Sequence, residues 1–377
     1  MTRIRVLLLF GGRSAEHDVS RVSAAAVAAA LDPARYEVVP VAITTAGQWL
    51  LAGEARAALE GARDALPSEF RVEGQPVVEV PDPSQPALVP LDATTPGAAV
   101  PTDVDVVLPL LHGPYGEDGT VQGLFELAGL PYVGAGVIGS ALAMDKVAMK
   151  RAFAAAGLPV ARWLAHREGH RADEFADQVA AQLGLPCFVK PANMGSSVGV
   201  SKAADRVALD AAIERALDFD EWVIAEEAIT GREIEVGILG DDPPEASVPG
   251  EIVPGDEFYS YADKYEDDAV QLLTPAPLTT EQADEVRGLA VRAFEACRGE
   301  GMARVDFFLT EDRGFLVNEV NTIPGFTPVS MYPRLWAESG VSYPRLIDRL
   351  IGLALDRHQR RSRRAGRQRG AVDGPRD

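Results

Sequence analysis

The sequence has few of the features that mark secreted, membrane-spanning or zinc-binding proteins. Its 377 residues include two cysteines, Cys187 and Cys297, which lie in apolar surroundings and lack the spacing of a zinc site or disulfide framework. No apolar run approaches the roughly 20 residues that cross a bilayer. The short run ending at Phe10 is closed by Gly11 and is too brief for a secretory signal. We therefore expect buried free thiols, no membrane partner and a cytoplasmic protein.

Positive charge is also scarce. The 36 Lys and Arg residues against 56 Asp and Glu residues give a formal net charge of -20. Because binding to nucleic acid needs a basic surface, we expect no nucleic-acid partner. The string Gly-x-x-x-x-Gly-Lys-Ser is absent, so a Walker-type nucleotide site is not expected. The 47% hydrophobic content is ordinary for a globular protein, and the length allows two or three domains.

The most informative stretch is 318–327, which follows an apolar strand. Strand side chains alternate in direction, so Glu319 and Asn321 share one face. An upstream strand at 303–309 carries Asp306, and a polar turn joins the two strands into a predicted hairpin. Oxygen ligands of this kind suit a hard cation such as magnesium, although the same pattern fits a hairpin with a solvated polar face. The candidate ligands are Asp306, Glu319 and Asn321.

The N-terminal pattern is strand, helix, strand, at 4–10, 15–31 and 36–43. It predicts an open α/β sheet, in which ligands bind at the carboxyl ends of the strands. Glu16 follows the first strand, and His112 opens a glycine-rich loop after a later one. Either residue is a candidate for function. Glu16 equally suits the first turn of a helix, and a lone histidine is often structural.

A strand ending at Lys190 leads into the loop 192–200, which is rich in glycine and serine. Lysine is rarely buried without a partner, so its place at a strand end indicates a ligand. Glycine amides and hydroxyl groups can wrap phosphate oxygens. With strands at 188–190 and 198–200 the segment reads as a β-hairpin lid, or else as an ordinary hairpin turn.

The remaining chain is less specific. The acidic and aromatic stretch 241–268 is predicted to be an ordered lid, because loops of that length usually cover a site. The arginine-rich segment 357–377 has almost no apolar residues and is predicted to be disordered. Helices are predicted at 54–65, 121–128, 141–156, 173–184, 205–217, 279–298 and 343–357, and further strands at 103–111, 221–229 and 230–239.

Seven strings occur in one order and together resemble the ATP-grasp superfamily, and within it the D-alanine–D-alanine ligases. They are FGGRSAEHDVS (10–20), HGPYGEDGTVQG (112–123), MDK (144–146), FVKPANMGSSVGV (188–200), YADKY (261–265), ARVDFFL (303–309) and NEVNTIPGFTPVS (318–330). The resemblance implies an α/β ATP-grasp fold. Its parts would be an N-terminal open parallel-sheet domain at 1–140, a central lid domain at 141–225, a C-terminal mixed-sheet domain at 226–356 and the basic tail.

The resemblance also implies an ATP-dependent ligase that joins two D-alanines for peptidoglycan synthesis. ATP would activate one carboxylate as an acylphosphate, which the second amine attacks. Two magnesium (or manganese) ions would lie on the hairpin, with a monovalent cation as a further candidate. The residues implied at the nucleotide are Lys146, Lys190, Ser197 and Lys264 at the phosphates, Glu226 and Glu233 at adenine and ribose, and the backbone of Glu227 to Ile229 at the purine.

For the amino acids, the resemblance implies that Glu16 binds the first ammonium group with help from His112. Ser196 and Tyr265 would complete a hydrogen-bonded triad with Glu16. Tyr265 also favours D-alanine over D-lactate as second substrate, and D-serine stays an alternative. The residues implied at the oxyanion and second carboxylate are Arg304, Gly325 and Ser330. A homodimer is expected.

Overall fold

A computed structural model describes residues 3–51, 75–79, 88–90, 104–253 and 271–372. The predicted helix at 54–65 lies outside these residues, as does the part of the predicted lid that carries Lys264 and Tyr265. The described residues form three sheets in succession along the chain, with helices packed on them. This mixed α/β architecture confirms the predicted fold class.

The first sheet has six strands in the order β5-β4-β3-β2-β1-β6. The predicted parallel arrangement holds for β1, β2 and β6, whereas β3, β4 and β5 pair antiparallel. The reason is the connection: a tight turn through Gly47, with φ at 87°, returns β3 directly beside β2. The elements are β1 (Ile4–Gly11), α1 (His17–Ala30), β2 (Tyr36–Ile43), β3 (Trp49–Leu51), β4 (Gln75–Glu79), β5 (Leu88–Pro90) and β6 (Val106–Leu110).

Ser20 on α1 fixes the carboxyl ends of β1 and β6 beside each other. Its hydroxyl accepts from the Gly11 amide at 2.7 Å and donates to the Leu110 carbonyl. Gly11 itself is confined to glycine, because a Cβ there would lie 2.2 Å from the Ile43 carbonyl oxygen. The loops that carry Glu16 and His112 therefore start from neighbouring points on one sheet edge.

Three helices follow the first sheet: α2 (Thr120–Ala128), α3 (Val137–Met144) and α4 (Lys146–Ala155). The prediction of one helix over 141–156 is wrong, because Asp145 ends α3 and caps α4. Its carboxylate accepts from the Ala148 amide at 2.8 Å, as is typical of a helix N-cap. Lys146 is thereby placed on the first turn of α4.

The second sheet has the order β7-β10-β8-β9 and is antiparallel. The predicted hairpin around the Gly-Ser loop is confirmed, but its second strand begins at Ser201 rather than at 198. Ser196 and Ser197 both adopt positive φ, which lengthens the turn. The elements are β7 (Trp163–Arg167), α5 (Ala172–Gln182), β8 (Cys187–Pro191), β9 (Ser201–Ala203), α6 (Arg206–Leu217) and β10 (Trp222–Glu227). Since β10 ends at Glu227, a domain boundary after 225 would cut this strand.

The third sheet is antiparallel in the order β13-β12-β11-β14-β15. It confirms the predicted hairpin of 303–321. The prediction of a loop over 241–268 is wrong for 245–253, which form β12, and α8 was not predicted. The elements are β11 (Arg232–Leu239), β12 (Glu245–Val253), β13 (Gln271–Leu273), α7 (Thr280–Ala296), β14 (Met302–Thr310), β15 (Gly314–Asn321) and α8 (Met331–Glu338).

The last helix, α9 (Tyr343–Val372), corrects the prediction of a disordered tail from 357 onward. Arg357 is buried, donates to the carbonyls of Tyr132 (2.6 Å) and Gly134, and stacks on the Tyr132 ring. Arg361 pairs with Glu300 at 2.8 Å. The segment has few apolar residues, which is why disorder was predicted. Its arginines instead bind acidic and carbonyl groups that are distant in the sequence.

The core joins the first and third sheets. Val6, Leu8 and Phe10 of β1 share one apolar cluster with Tyr332 and Trp336 of α8 and with the buried face of α9. Cys187 and Cys297 are buried and free, as predicted. Among the described helices, none is both long and apolar enough to cross a membrane.

We predict that Arg357→Ala lowers stability by about 2–4 kcal/mol, because it leaves two buried carbonyls without their charged donor. Thermal unfolding of both proteins measures the loss. Arg364→Ala, at an exposed position of the same helix, is the matched control and should unfold with the unaltered protein. Equal midpoints for the two variants would show that Arg357 does not hold α9 in place.

Candidate active site

A cavity of about 820 Å³ opens where the three sheets meet. It lies against the loops after β1 and β6, the Gly-Ser loop after β8, the first turn of α4 and the β14–β15 hairpin. The sequence-predicted residues that line it are Glu16, His112, Lys146, Lys190, Ser196, Ser197, Glu233, Arg304, Asp306, Glu319, Asn321, Gly325 and Ser330. Residues spread over more than 300 positions are thus brought to one surface.

The hairpin sets three oxygen-bearing side chains at the cavity wall. Asp306 and Glu319 are direct cross-strand partners. Asn321 donates to Asp306 Oδ2 at 2.9 Å. The register shifts by one residue after Asp306, so that Asn318 forms a bulge beside the site. Among the described residues no group of three His, Cys, Asp or Glu side chains is arranged to hold a metal, so these two carboxylates and one amide would need further oxygens from a ligand.

Arg304 organises the carboxylates of this wall. It donates through Nε and Nη2 to the two oxygens of Asp306, at 2.7 Å each, and lies 3.1 Å from Glu235. Burial opposes its charge, but the neighbouring Asp306 and Glu235 carboxylates outweigh burial and raise the pKa of Arg304. The guanidinium is therefore a fixed positive charge at the floor of the cavity.

Two lysines face the hairpin from the other side. Lys146 donates to the Met194 carbonyl of the Gly-Ser loop, and burial lowers its pKa even though Glu319 favours its charge. Lys190 at the end of β8 is 18% exposed and pairs with Glu226 at 2.7 Å. Burial acts against the Lys190 charge, but Glu226 outweighs it and raises the pKa of Lys190. The wall opposite the carboxylates is therefore basic.

Glu226 forms an ion pair with a second lysine, which the sequence analysis did not identify. Lys150 on α4 is 2% exposed and lies 2.8 Å from Glu226 Oε1. Burial alone would raise the pKa of the Glu226 carboxyl, but the two lysines lower it far below its ordinary value. The signal in the sequence was the spacing Lys146-x-x-x-Lys150, which puts both lysines on one helical face.

The Gly-Ser loop reaches the first sheet at Glu16. A Cβ placed on Gly195 would lie 3.5 Å from Glu16 Oε2, and a Cβ on Gly113 would lie at the same distance. Ser196 and Ser197 follow Gly195 with φ of 49° and 59°, which is uncommon for residues other than glycine. The backbone here is shaped to bring serine hydroxyls to the cavity beside the Glu16 carboxylate.

His112 and Glu117 tie the glycine-rich loop after β6 to the chain beyond the hairpin. His112 Nδ1 lies 2.8 Å from the Ile323 carbonyl. The Glu117 carboxylate accepts from the amides of Gly113 (2.8 Å) and Ile323 (2.9 Å). Burial and the nearby Glu16 charge raise the pKa of Glu117 to about 8, against the opposing effect of these two amides.

Gly325 and Ser330 stand together at the far end of the cavity. A Cβ on Gly325 would lie 3.2 Å from Ser330 Oγ. Ser330 Oγ accepts from the Thr327 amide at 3.2 Å and starts α8 as its N-cap residue. The hairpin thus continues into a turn that presents an amide and a hydroxyl to the same space.

Three predicted residues stand apart from this lining, and two more cannot be placed against it. Glu226 lies behind Lys190, and Glu227 accepts from Arg162 and Arg313 at 2.7 Å each. Ile229 follows β10 without lining the cavity, and Lys264 and Tyr265 lie outside the described residues. Their implied contacts with nucleotide or substrate stay predictions.

Two family models match most of the chain. The model described as "D-ala D-ala ligase N-terminus" matches residues 5–135, and "D-ala D-ala ligase C-terminus" matches residues 152–352. The chain belongs to the D-alanine–D-alanine ligase family. The matched regions include most of the residues that line the cavity, whereas Lys146 lies in the segment between the two regions.

Members of this family are similar to the chain over nearly its whole length. The D-alanine–D-alanine ligase of Geobacillus kaustophilus is 48% identical over 95% of this chain and 96% of that ligase. The solved structure of the Coxiella burnetii D-alanine–D-alanine ligase matches with a TM-score of 0.85 and 33% identity, over 99% and 100% of the two chains. The solved structure of the VanG D-Ala:D-Ser ligase of Enterococcus faecalis matches with a TM-score of 0.81 and 35% identity, over 94% of this chain and 100% of that chain.

The pKa of Glu117 predicts a pH dependence of stability. A carboxyl whose pKa rises from 4.5 to about 8 on folding holds its proton more tightly in the folded state. The stability from that proton is complete below pH 4.5 and is lost as the pH rises through 8, by at most about 1.4 kcal/mol per pH unit. Glu117→Gln cannot titrate, so its unfolding free energy should vary less between pH 5 and pH 8.

Urea unfolding of both proteins at several pH values measures this difference. Glu285→Gln, at an exposed position of α7, is the matched control and should follow the unaltered protein. Parallel curves for the unaltered protein and Glu117→Gln would mean that Glu117 is ionised throughout this range.

Proposed function

We propose that this protein is an ATP-dependent ligase that joins two D-alanines into D-alanyl-D-alanine, releasing ADP and phosphate, for peptidoglycan precursor synthesis. The observation that carries the proposal is that one cavity is lined by the basic groups, the carboxylate hairpin, Glu16 and Ser330. Membership of the D-alanine–D-alanine ligase family supports it.

The residues proposed to bind the phosphates of ATP are identified by their charge. The first D-alanine carboxylate is a poor electrophile until ATP converts it to an acylphosphate, and that transfer depends on positioning and on neutralising phosphate charge. Lys146 and Lys190 supply positive charge from one wall, and Ser197 and the glycine amides close around the phosphate oxygens. Glu233, which lines the same cavity, would contact the ribose side of the nucleotide.

The hairpin would hold two magnesium (or manganese) ions through Asp306, Glu319 and Asn321. The donor set fits, because it offers hard oxygen atoms beside basic residues that would carry phosphate, and phosphate oxygens complete such a site. When bound, the ions neutralise charge on the transferring phosphoryl group. Arg304 holds Asp306 in place with one hydrogen bond to each carboxylate oxygen, and each of these oxygens has a second lone pair.

The amino-acid half uses the other end of the cavity. Glu16 would bind the ammonium group of the first D-alanine, with His112 beside it, and Ser330 would bind the carboxylate of the second. The second amine attacks the acylphosphate carbonyl, and phosphate leaves. Arg304 and the Gly325 amide would stabilise the oxyanion of the tetrahedral intermediate, whose negative charge develops only during the reaction. Ser196 and, from the sequence, Tyr265 would join Glu16 in the triad.

The other expectations rest on the family resemblance. They are the purine contacts of Glu226, Glu227 and Ile229, the charge of Lys264 near the γ-phosphate, a monovalent cation, a homodimer and a cytoplasmic location. Light scattering of the purified protein tests the dimer, which a monomeric mass would contradict.

Release of ADP in the presence of ATP, magnesium and D-alanine tests the proposal, with the product identified by its mass. We expect ADP release to need D-alanine and the dipeptide to accumulate. Parallel reactions with D-serine and D-lactate address the alternative raised by the likeness to the D-Ala:D-Ser ligase. If either mixed product forms in preference to the D-alanine dipeptide, then D-serine or D-lactate, rather than D-alanine, is the second substrate. ATP hydrolysis that does not depend on D-alanine would contradict ligase activity.

We predict that Glu319→Gln lowers kcat by roughly a hundredfold or more, because it removes a negative charge from the proposed magnesium ligands. The fold should persist, since Gln has the same shape at this half-buried position. Steady-state kinetics measures the loss, with Glu311→Gln in the exposed hairpin turn as control. Near-normal turnover of Glu319→Gln at ordinary magnesium concentrations would remove Glu319 from the metal site.

A further inference from the structure

Glu226 lies between two lysines that differ in their access to the cavity. Its Oε2 is 2.7 Å from the Lys190 ammonium, which lines the cavity and is 18% exposed. Its Oε1 is 2.8 Å from the Lys150 ammonium, which is 2% exposed and is not part of the lining. The carboxylate therefore separates a lysine that can meet a ligand from one that cannot.

Lys150 is fixed from two directions. It lies on α4 one turn after Lys146, and its ammonium is 3.5 Å from the Val317 carbonyl of β15. Burial of an ammonium group is costly unless the group is paired, and Glu226 provides the opposite charge. Because Lys150 is enclosed behind Glu226, any effect that it has on a ligand must pass through that carboxylate.

A bound phosphate would compete with Glu226 for the Lys190 ammonium group. Both are anionic and within reach of a single flexible ammonium group, which cannot hold both in ideal geometry. If Lys190 turned to phosphate while Glu226 had no other partner, an uncompensated carboxylate would be left in the interior. Lys150 removes that penalty, because it stays with Glu226 whichever way Lys190 points.

We propose that Lys150 is a positioning residue of the nucleotide site: it holds Glu226 and balances its charge, so that Lys190 is released to the phosphates of the nucleotide. The inference rests on the proposed use of ATP and adds a residue to it. Lys150 does not touch the nucleotide. Lys150 therefore raises the affinity for a ligand only if that ligand carries phosphate and residue 226 carries a carboxylate.

The first test compares nucleotide binding by Lys150→Met and by the unaltered protein. Calorimetric titration with magnesium-ADP should show at least a tenfold weaker affinity in the variant, because Lys190 stays with Glu226. Affinity for adenosine, which has no phosphate, should fall by a clearly smaller factor than the ADP affinity. In the ligation assay KM for ATP should rise at least tenfold, while KM for D-alanine changes less than twofold. Lys202→Met, at an exposed position of β9, is the control and should match the unaltered protein.

The second test removes the carboxylate first and remains informative if Lys150→Met fails to fold. Glu226→Gln and the double variant Glu226→Gln/Lys150→Met are titrated with the same magnesium-ADP. Since Lys150 acts through Glu226, adding Lys150→Met to Glu226→Gln should change the ADP affinity less than twofold. A further tenfold loss would give Lys150 a role of its own and overturn the proposal.

Two other results would also overturn it. One is an ADP affinity of folded Lys150→Met within twofold of the unaltered protein. The other is an equal loss of ADP and adenosine affinity, which would place the effect at the purine or in the general fold. The titrations with ADP and adenosine measure binding alone and do not require the enzyme to turn over. Failure of D-alanine-dependent ADP release in the unaltered protein would instead count against the proposed ligase function.

Discussion

The site depends on one constraint: lysine and arginine groups are buried in a strongly acidic protein, and each needs a carboxylate beside it. Lys150 and Lys190 share Glu226, and Arg304 holds Asp306 and Glu235. Burial of an unpaired charge would be prohibitive, so these pairs hold β10 against β8 and α4, and hold β14 against β11. The same pairs leave ammonium and guanidinium groups at the cavity, where an otherwise acidic protein can accept anionic phosphate.

The hairpin could be predicted because its signal is local. Alternation along β15 puts Glu319 and Asn321 on one face, and the facing strand supplies Asp306, so sequence spacing alone gives the candidate ligands. The predicted residues that line the cavity were found in the same way or through the family resemblance, which transfers positions motif by motif. The bulge at Asn318 could not be predicted, because it depends on how two strands pair rather than on either strand alone.

The parts that sequence reasoning missed are contacts between distant residues. Arg357 is 225 positions from Tyr132, so composition made its segment look disordered when carbonyl groups and acidic side chains hold it as a helix. Lys150 looks like an ordinary helix lysine until β10 brings Glu226 to it. Glu117 was not identified as a candidate in the glycine-rich loop, although its carboxyl group accepts hydrogen bonds from the amides of two separate segments. Charge pairing across the fold has no periodic pattern along the chain, and so it appears first in the structure.

Glu117 also shows why the two halves of the site stand at a fixed distance. Its contact with the Ile323 amide, and the His112 contact with the Ile323 carbonyl, attach the loop after β6 to both backbone polar groups of one residue just past the hairpin. Asn321 lies two residues before Ile323 and Gly325 two residues after it. A displacement of the first sheet would therefore move both Asn321 and Gly325. The loop after β6 and the turn after the hairpin are consequently held in register by hydrogen bonds to the backbone of a single residue.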